Sequence, residues 1–264
     1  MSSLSVVMPA YNEASNLPAV IATVPVAELA EAGWETELVV VDNASTDGTG
    51  DVARSLGARV VPQPQRGYGN AYHAGFAAAR GDVIATGDAD CTYPFDALPG
   101  LLTVLDALDV EFLTTDRLVP GNREAMHPTH AMGNHVLSTV SRLLFHNGLH
   151  DSQSGMWVFR RYVWQSLDVR STGMAFSQEI KNAATLAGCR CLEVPITYRV
   201  RGGEVKLHAL HDGTANLCQL FVHRFRRQGT STAALPAGRP DAAVRGARRP
   251  RHRVNAGPAA PPRP

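Results

Sequence analysis

The sequence predicts an α/β fold built on a mostly parallel sheet with helices on both faces. Three observations predict it. Short apolar runs alternate with segments of helical periodicity from residue 5 to residue 115. The first four runs end in proline, glycine or turn-forming residues. The loops after the first, second and fourth runs carry the acids Glu13, Asp42 and Asp88/Asp90. An open parallel sheet gathers its ligands there, beyond the carboxyl ends of the strands.

In chain order, Ser5 to Pro9 is a short strand stopped by proline, followed by a loop through Glu13. Leu17, Val20, Ile21 and Val24 recur at helical spacing. Thr36 to Val41 is strand material that runs into the turn-rich stretch 42–49, in which Asp47 caps the next helix. That helix spans about 50–56 and is closed by Gly57, and Arg59 to Pro62 is the third strand. A helix opened by the loop from Gln65 runs to about Arg80, and strand 82–87 follows. A helix over 95–108 and a strand over 110–115 complete the alternation.

Beyond Arg117 the pattern loosens. Helices are expected over 131–145, 176–187 and 212–227, with an ambiguous strand or helix start near 156–159. Residues 192–199 read as a strand with an internal proline, hence an edge.

The stretch from Gly81 to Pro94 organises the rest. Val83, Ile84 and Ala85 read as a buried central strand. Past its end stand Asp88 and Asp90. In an extended segment, residues two apart point to one side, so both carboxylates reach one point. Two such charges are costly together unless a cation lies between them, and carboxylate oxygens suit a hard ion such as Mg²⁺ or Mn²⁺. Such an ion commonly also binds a substrate phosphate.

Composition bounds the alternatives. At 264 residues the chain has room for one large α/β domain or two small ones. No apolar run approaches the roughly 18–20 residues of a membrane span. The N-terminus lacks a signal-peptide pattern, and the four cysteines lack paired Cys-x-x-Cys spacing, so a reducing cytoplasm is the expected setting. Net charge is +1, but residues 229–264 hold seven arginines against one acid, which leaves −5 for residues 1–228. That tail is rich in proline and poor in large apolar residues, and it reads as disordered. Nucleic acid is not an expected partner. The last helix places Leu217, Leu220, Phe221 and Phe225 on one face and ends in arginines. Peripheral membrane contact and packing against the domain both suit that face.

Four segments in order resemble the signatures of family 2 glycosyltransferases: Val7 to Glu13, Val41 to Thr49, Arg66 to Ala71, and Asp88-Ala89-Asp90. The dolichyl-phosphate mannose or glucose synthase branch is the most similar, over about residues 4–225. The resemblance implies a GT-A fold in residues 1–228, with a nucleotide-sugar half (1–94) and an acceptor half (95–228). It also implies inverting transfer from a nucleotide-diphosphate sugar. Pro9, Tyr11 and Glu13 are then expected to line the nucleoside pocket, and Asp42 to accept hydrogen bonds from the base. Arg66 and Gly67 are expected near the base or diphosphate. Asp88, Ala89 and Asp90 are expected to hold the diphosphate through Mg²⁺ or Mn²⁺. Thr92 stands where the branch often has a third metal ligand.

In the acceptor half the resemblance makes Arg117 and Arg123 the expected phosphate grips, a role that suits guanidinium because it is forked and always charged. Asp151 and Glu179 are the candidate bases should the acceptor be an alcohol, and Lys206 the basic group over the leaving diphosphate. The expected partners are a nucleotide-sugar donor and a polyprenyl phosphate or small-molecule acceptor. An inactive nucleotide-sugar-binding protein is the alternative of another class. A nucleotidyltransferase would want a glycine-rich loop after the first strand, which is absent. A dinucleotide fingerprint fails at Tyr72, where a third glycine is needed.

Overall fold

The structure is a computed structural model that describes residues 1–202 and 209–226. Lys206 and the tail 229–264 lie outside the described residues.

Seven strands form one sheet: β1 (Ser2–Ala10), β2 (Trp34–Asp42), β3 (Arg59–Pro62), β4 (Val83–Thr86), β5 (Phe112–Asp116), β6 (Trp157–Arg160) and β7 (Cys191–Pro195). Their order across the sheet is β3-β2-β1-β4-β6-β5-β7. All neighbouring pairs are parallel except those of β6, which runs antiparallel to both β4 and β5. The ambiguity at 156–159 thus resolves as a strand that returns between two already placed. Trp157, Val158 and Phe159 are fully buried there, so the run carries no alternation to distinguish strand from helix. β7 is the edge expected from its proline, but it ends at Pro195 rather than Arg199.

Alternation along the strands makes two cores. Leu4, Val6, Met8, Val40, Ala85 and Leu113 face one side, under α1 (Leu17–Ala22), α2 (Val26–Glu31), α3 (Thr49–Ser55) and α5 (Leu98–Ala107). Val7, Val39, Val41, Ile84, Phe112 and Phe159 face the other, under α4 (Tyr68–Ala78), α7 (Arg161–Ser166) and α8 (Phe176–Leu186). Tyr72, Trp157 and Phe176 fill the second core with ring centroids 5.0–6.0 Å apart. A third, small cluster of Leu137, Phe145 and Leu220 joins α6 (Pro128–Phe145) to α9 (Ala209–Phe225).

Helix boundaries move for local reasons. The helix expected from the periodicity of 17–24 ends at Ala22, ahead of Pro25, and a separate helix, α2, begins at Val26. The expected helix from Gln65 begins only at Tyr68, because Gly67 takes φ +145° and stands outside it. α6 begins a turn earlier than expected, with Pro128 at its first position.

The register brings the functional loops together. Ala10 pairs with Asp42, and Val7 with Thr86. The carboxyl ends of β1, β2 and β4 therefore open on the same edge, with β4 in the interior of the sheet.

Candidate active site

The loops after these strands hold backbone that L-residues seldom adopt. Asn12 (φ 53°), Ala44 (φ 60°) and Cys91 (φ 68°) are left-handed. Such conformations cost on the order of 1–3 kcal/mol each and persist where surrounding bonds over-determine them. Here the first two loops are laced together. The Asn12 N–H donates to Ser45 Oγ (3.1 Å), and the Thr46 N–H donates to Asn12 Oδ1 (2.8 Å). Asp47 accepts N–H groups of Ala14 and Thr49 (both 3.0 Å), so it serves the loops and the start of α3, as its sequence position suggested.

A cleft of about 290 Å³ opens at this edge. Pro9, Tyr11, Glu13, Arg66, Gly67, Asp88, Ala89 and Asp90 all line it. Eight of the nine residues expected to hold the donor therefore meet. The ninth, Asp42, stands at the end of β2 and does not line the cleft. Its Oδ1 accepts the Ser45 N–H (3.0 Å) and shapes the second loop. Arg66 lies over the Tyr11 ring, 3.9 Å from its centroid. Asn43 fixes the loop that carries Arg66: its amide donates to the Gln65 carbonyl (2.8 Å), and its Oδ1 accepts the Gly67 N–H (2.8 Å).

Asp88 and Asp90 occupy the inner wall. Burial, with Asp90 as a neighbouring charge, pushes the Asp88 carboxyl up to about 7. Tyr68 donates its hydroxyl to Asp88 Oδ1 (3.0 Å). Asp90 Oδ1 accepts the Thr92 hydroxyl (2.6 Å) and N–H (3.1 Å). Asp90 Oδ2 forms an ion pair with Arg201, without an aligned hydrogen bond. The donor set fits a hard divalent ion: two crowded carboxylates, one with its proton affinity raised. Thr92, expected as a third ligand, donates its hydroxyl hydrogen to Asp90, which leaves the lone pairs of its oxygen for an ion.

Several expected roles change. Asp151, a candidate base, is fully buried. Arg117 Nε donates to its Oδ2 (2.7 Å) and Nη2 to its Oδ1 (3.0 Å), and the Arg117 N–H adds a third bond (3.1 Å). Burial opposes its ionisation, but the guanidinium outweighs burial and holds the carboxyl below its ordinary value. Asp151 is therefore placed as the counter-ion of Arg117, not as a base for a hydroxyl. Glu179 is likewise buried, accepting from Ser171 N–H (2.7 Å) and Arg226 (3.0 Å), and it lines none of the three cavities at the site. Arg123 is exposed and lines an apolar groove beyond Arg117.

Arg201 is not singled out by the sequence, although it lines the cleft beside Asp90. It directly precedes Gly202 and Gly203, and no periodicity marks it. In the structure its segment lies along the Asp90–Thr92 loop: the Arg199 N–H donates to the Thr92 carbonyl and the Gly202 N–H to the Asp90 carbonyl (both 2.9 Å). Tyr68, Tyr93, Gln153 and Tyr198 also line the cleft. Asp116, His150 and Glu193 bring ligand atoms within 4.8 Å of one another. Glu193 there accepts the backbone N–H groups of His150 (2.6 Å) and Asp151 (3.0 Å) and holds the loop behind Arg117.

A mostly parallel seven-stranded sheet with paired aspartates past its central strand is a GT-A architecture. Solved structures share it. Mannosyl-3-phosphoglycerate synthase from Rubrobacter xylanophilus superposes with a TM-score of 0.70 at 22% identity, covering 86% of this chain and 75% of its own. Glucosyl-3-phosphoglycerate synthase from Mycobacterium tuberculosis, in complex with Mn²⁺, UDP-glucose and phosphoglyceric acid, gives 0.65 at 20% identity, covering 84% and 79%.

The chain belongs to glycosyl transferase family 2, which residues 5–167 match. A low-salt glycan biosynthesis hexosyltransferase of Haloferax volcanii is 39% identical over 84% of this chain, which spans 54% of that relative's length. A dolichyl-phosphate hexose transferase of the same organism is 35% identical over 80% of this chain and 90% of its own. A polyprenol monophosphomannose synthase of Mycolicibacterium smegmatis is 33% identical over 74% and 77%. Among the described residues no helix is long and apolar enough to cross a membrane.

Proposed function

We propose that the protein transfers a hexose from a nucleotide-diphosphate sugar to a polyprenyl phosphate, with inversion at the sugar C1. One observation carries the acceptor. Arg117 lines the donor cleft, a neighbouring cavity of about 480 Å³, and an apolar groove of about 690 Å³. The groove runs from Arg117 past Leu118, Val119 and Met126 to Met132 and Val136 on α6. A cation at the junction of a sugar-nucleotide cleft and an apolar groove suits a phosphate on a hydrocarbon chain. The relatives named for dolichyl-phosphate or polyprenol transfer support the same reading.

In the proposed reaction a phosphate oxygen of the acceptor forms the new bond to C1. The C1–oxygen bond to the diphosphate breaks, and the electron pair leaves with the nucleoside diphosphate. A phosphate monoester has its second pKa near 6, so it attacks as a dianion and no side chain must take a proton. This agrees with the burial of Asp151 and Glu179. Arg117, oriented by Asp151, holds the acceptor phosphate. Tyr11 and Arg66 hold the nucleoside end. Asp88 and Asp90 are the residues that would hold Mg²⁺ or Mn²⁺, which when bound supplies positive charge to the leaving diphosphate. Arg201 adds a second cation on that side. Lys206, the basic group expected at the leaving diphosphate, lies outside the described residues.

A small phosphorylated acceptor is the second reading, favoured by the fold neighbours that bind phosphoglyceric acid. It leaves the apolar groove without a task. The test is nucleoside diphosphate release from a panel of UDP-, GDP- and dTDP-sugars with Mg²⁺ or Mn²⁺, with and without a short polyprenyl phosphate. Release that requires the lipid phosphate is expected. Donor binding with no stimulation by the lipid would sink the polyprenyl reading.

A further inference from the structure

We infer that the Glu179–Arg226 ion pair is a positioning device for the nucleotide-binding loop, an inference that rests on the donor half of the function proposed above. Glu179 lies on α8 and is 1% exposed. Its Oε2 accepts the Ser171 N–H at 2.7 Å, and its Oε1 accepts Nη1 of Arg226 at 3.0 Å. Arg226 directly follows α9, and its Nη2 donates to the Asp168 carbonyl at 2.8 Å. One ion pair thus holds the segment 168–172 at two backbone points. Arg170 closes its exposed side through two bonds to Asp168 (2.8 and 2.7 Å).

That segment is the floor beneath the loop that carries Arg66. The Asn70 N–H donates to the Thr172 carbonyl at 3.0 Å. A Cβ on Gly67 would collide with the Thr172 carbonyl, and one on Gly69 with the Ser171 carbonyl. Two backbones therefore touch directly, and only glycine permits the approach. Gly67 and Arg66 line the donor cleft on this side of the contact, and Met174, two residues past Thr172, lines it as well. The contacts run without a gap from Arg226 through Glu179 and the 171–172 backbone to Gly67–Asn70.

Removing Arg226 leaves a buried carboxylate without its counter-ion, which is strongly unfavourable. Glu179 then turns toward water, and the Ser171 N–H loses a charged acceptor. The floor shifts, and the loop that holds the nucleoside end shifts with it. α9 also reaches the acceptor side: the Asn216 amide donates to Gln153 (3.2 Å), and both residues line the cavity beyond Thr92. One helix therefore braces both substrate clefts.

The experiment compares the wild-type chain with Arg226→Gln and Arg226→Lys. It uses amide hydrogen exchange over residues 66–72 and calorimetric binding of UDP and GDP with Mn²⁺, without acceptor. Arg226→Gln should speed exchange at 66–72 and weaken the nucleotide that the wild type binds by about tenfold or more. Arg226→Lys, which keeps the charge but loses the fork, should recover part of both. Arg160→Gln, which breaks the Arg160–Asp106 surface pair, is the control and should change neither. Wild-type exchange at 66–72 in Arg226→Gln would overturn the inference, as would weakened binding with unchanged exchange there. A wild type that binds neither nucleotide would count against the transferase reading alone, because exchange at 66–72 still decides the positioning role.

Discussion

Arg117 and Asp151 form the buried ion pair behind the proposed acceptor-phosphate site. Both are buried, and the carboxylate takes three hydrogen bonds from one arginine. Burial disfavours either charge alone, so each is stable only with the other. Asp151→Asn keeps the size and removes the charge. It should cost about 3–5 kcal/mol of stability, measured by denaturant unfolding. The pH dependence follows from the lowered carboxyl. Asp151 ionises more readily folded than unfolded, so its contribution is present above its unfolded value and lost as pH falls through the folded one. The stability gap between wild type and Asp151→Asn should therefore be flat from about pH 5 to 8 and shrink below about pH 4. At the donor end, Asp90→Asn should lower metal-dependent turnover by about 100-fold or more, with the fold retained by circular dichroism. Unchanged turnover would remove Asp90 from the metal set. The gathering of Pro9, Tyr11, Glu13, Arg66 and Asp88 is legible because each lies near the end of a strand, in a segment that resembles a family signature. The partners of Asp151 and Asp90 are not. Arg117 is 34 residues from Asp151, Arg201 is 111 from Asp90, and no local pattern marks either pairing.

At the scale of elements, residues 1–94 could be read because each strand there is followed by a helix before the next parallel strand. The later residues depart from that rhythm. β6 enters antiparallel between β4 and β5, and its four residues give no periodicity to decide their conformation. The short helices α2 and α7 span six residues each, less than two turns, and left no separate signal. α6 carries the consequence for function. Its inward face meets α9, while Met132 and Val136 are 66% and 53% exposed along the apolar groove. Exposed residues of this kind beside a groove mark a binding surface. Val136→Glu should raise the KM for a polyprenyl phosphate by about tenfold while leaving nucleotide binding unchanged, because a carboxylate in the groove faces hydrocarbon. Equal activity with both chains would separate the groove from the acceptor.

In the whole molecule, one sheet edge carries the cleft proposed for the donor, and Arg117 lines both it and the groove proposed for the acceptor. The identity of the product decides the acceptor. The wild-type enzyme would be incubated with its sugar-nucleotide donor, Mn²⁺, and equal amounts of a short polyprenyl phosphate and 3-phosphoglycerate, and the products read by mass spectrometry. Hexose on the polyprenyl phosphate is the predicted result. Hexose on 3-phosphoglycerate alone would contradict the account and leave the groove without its ligand.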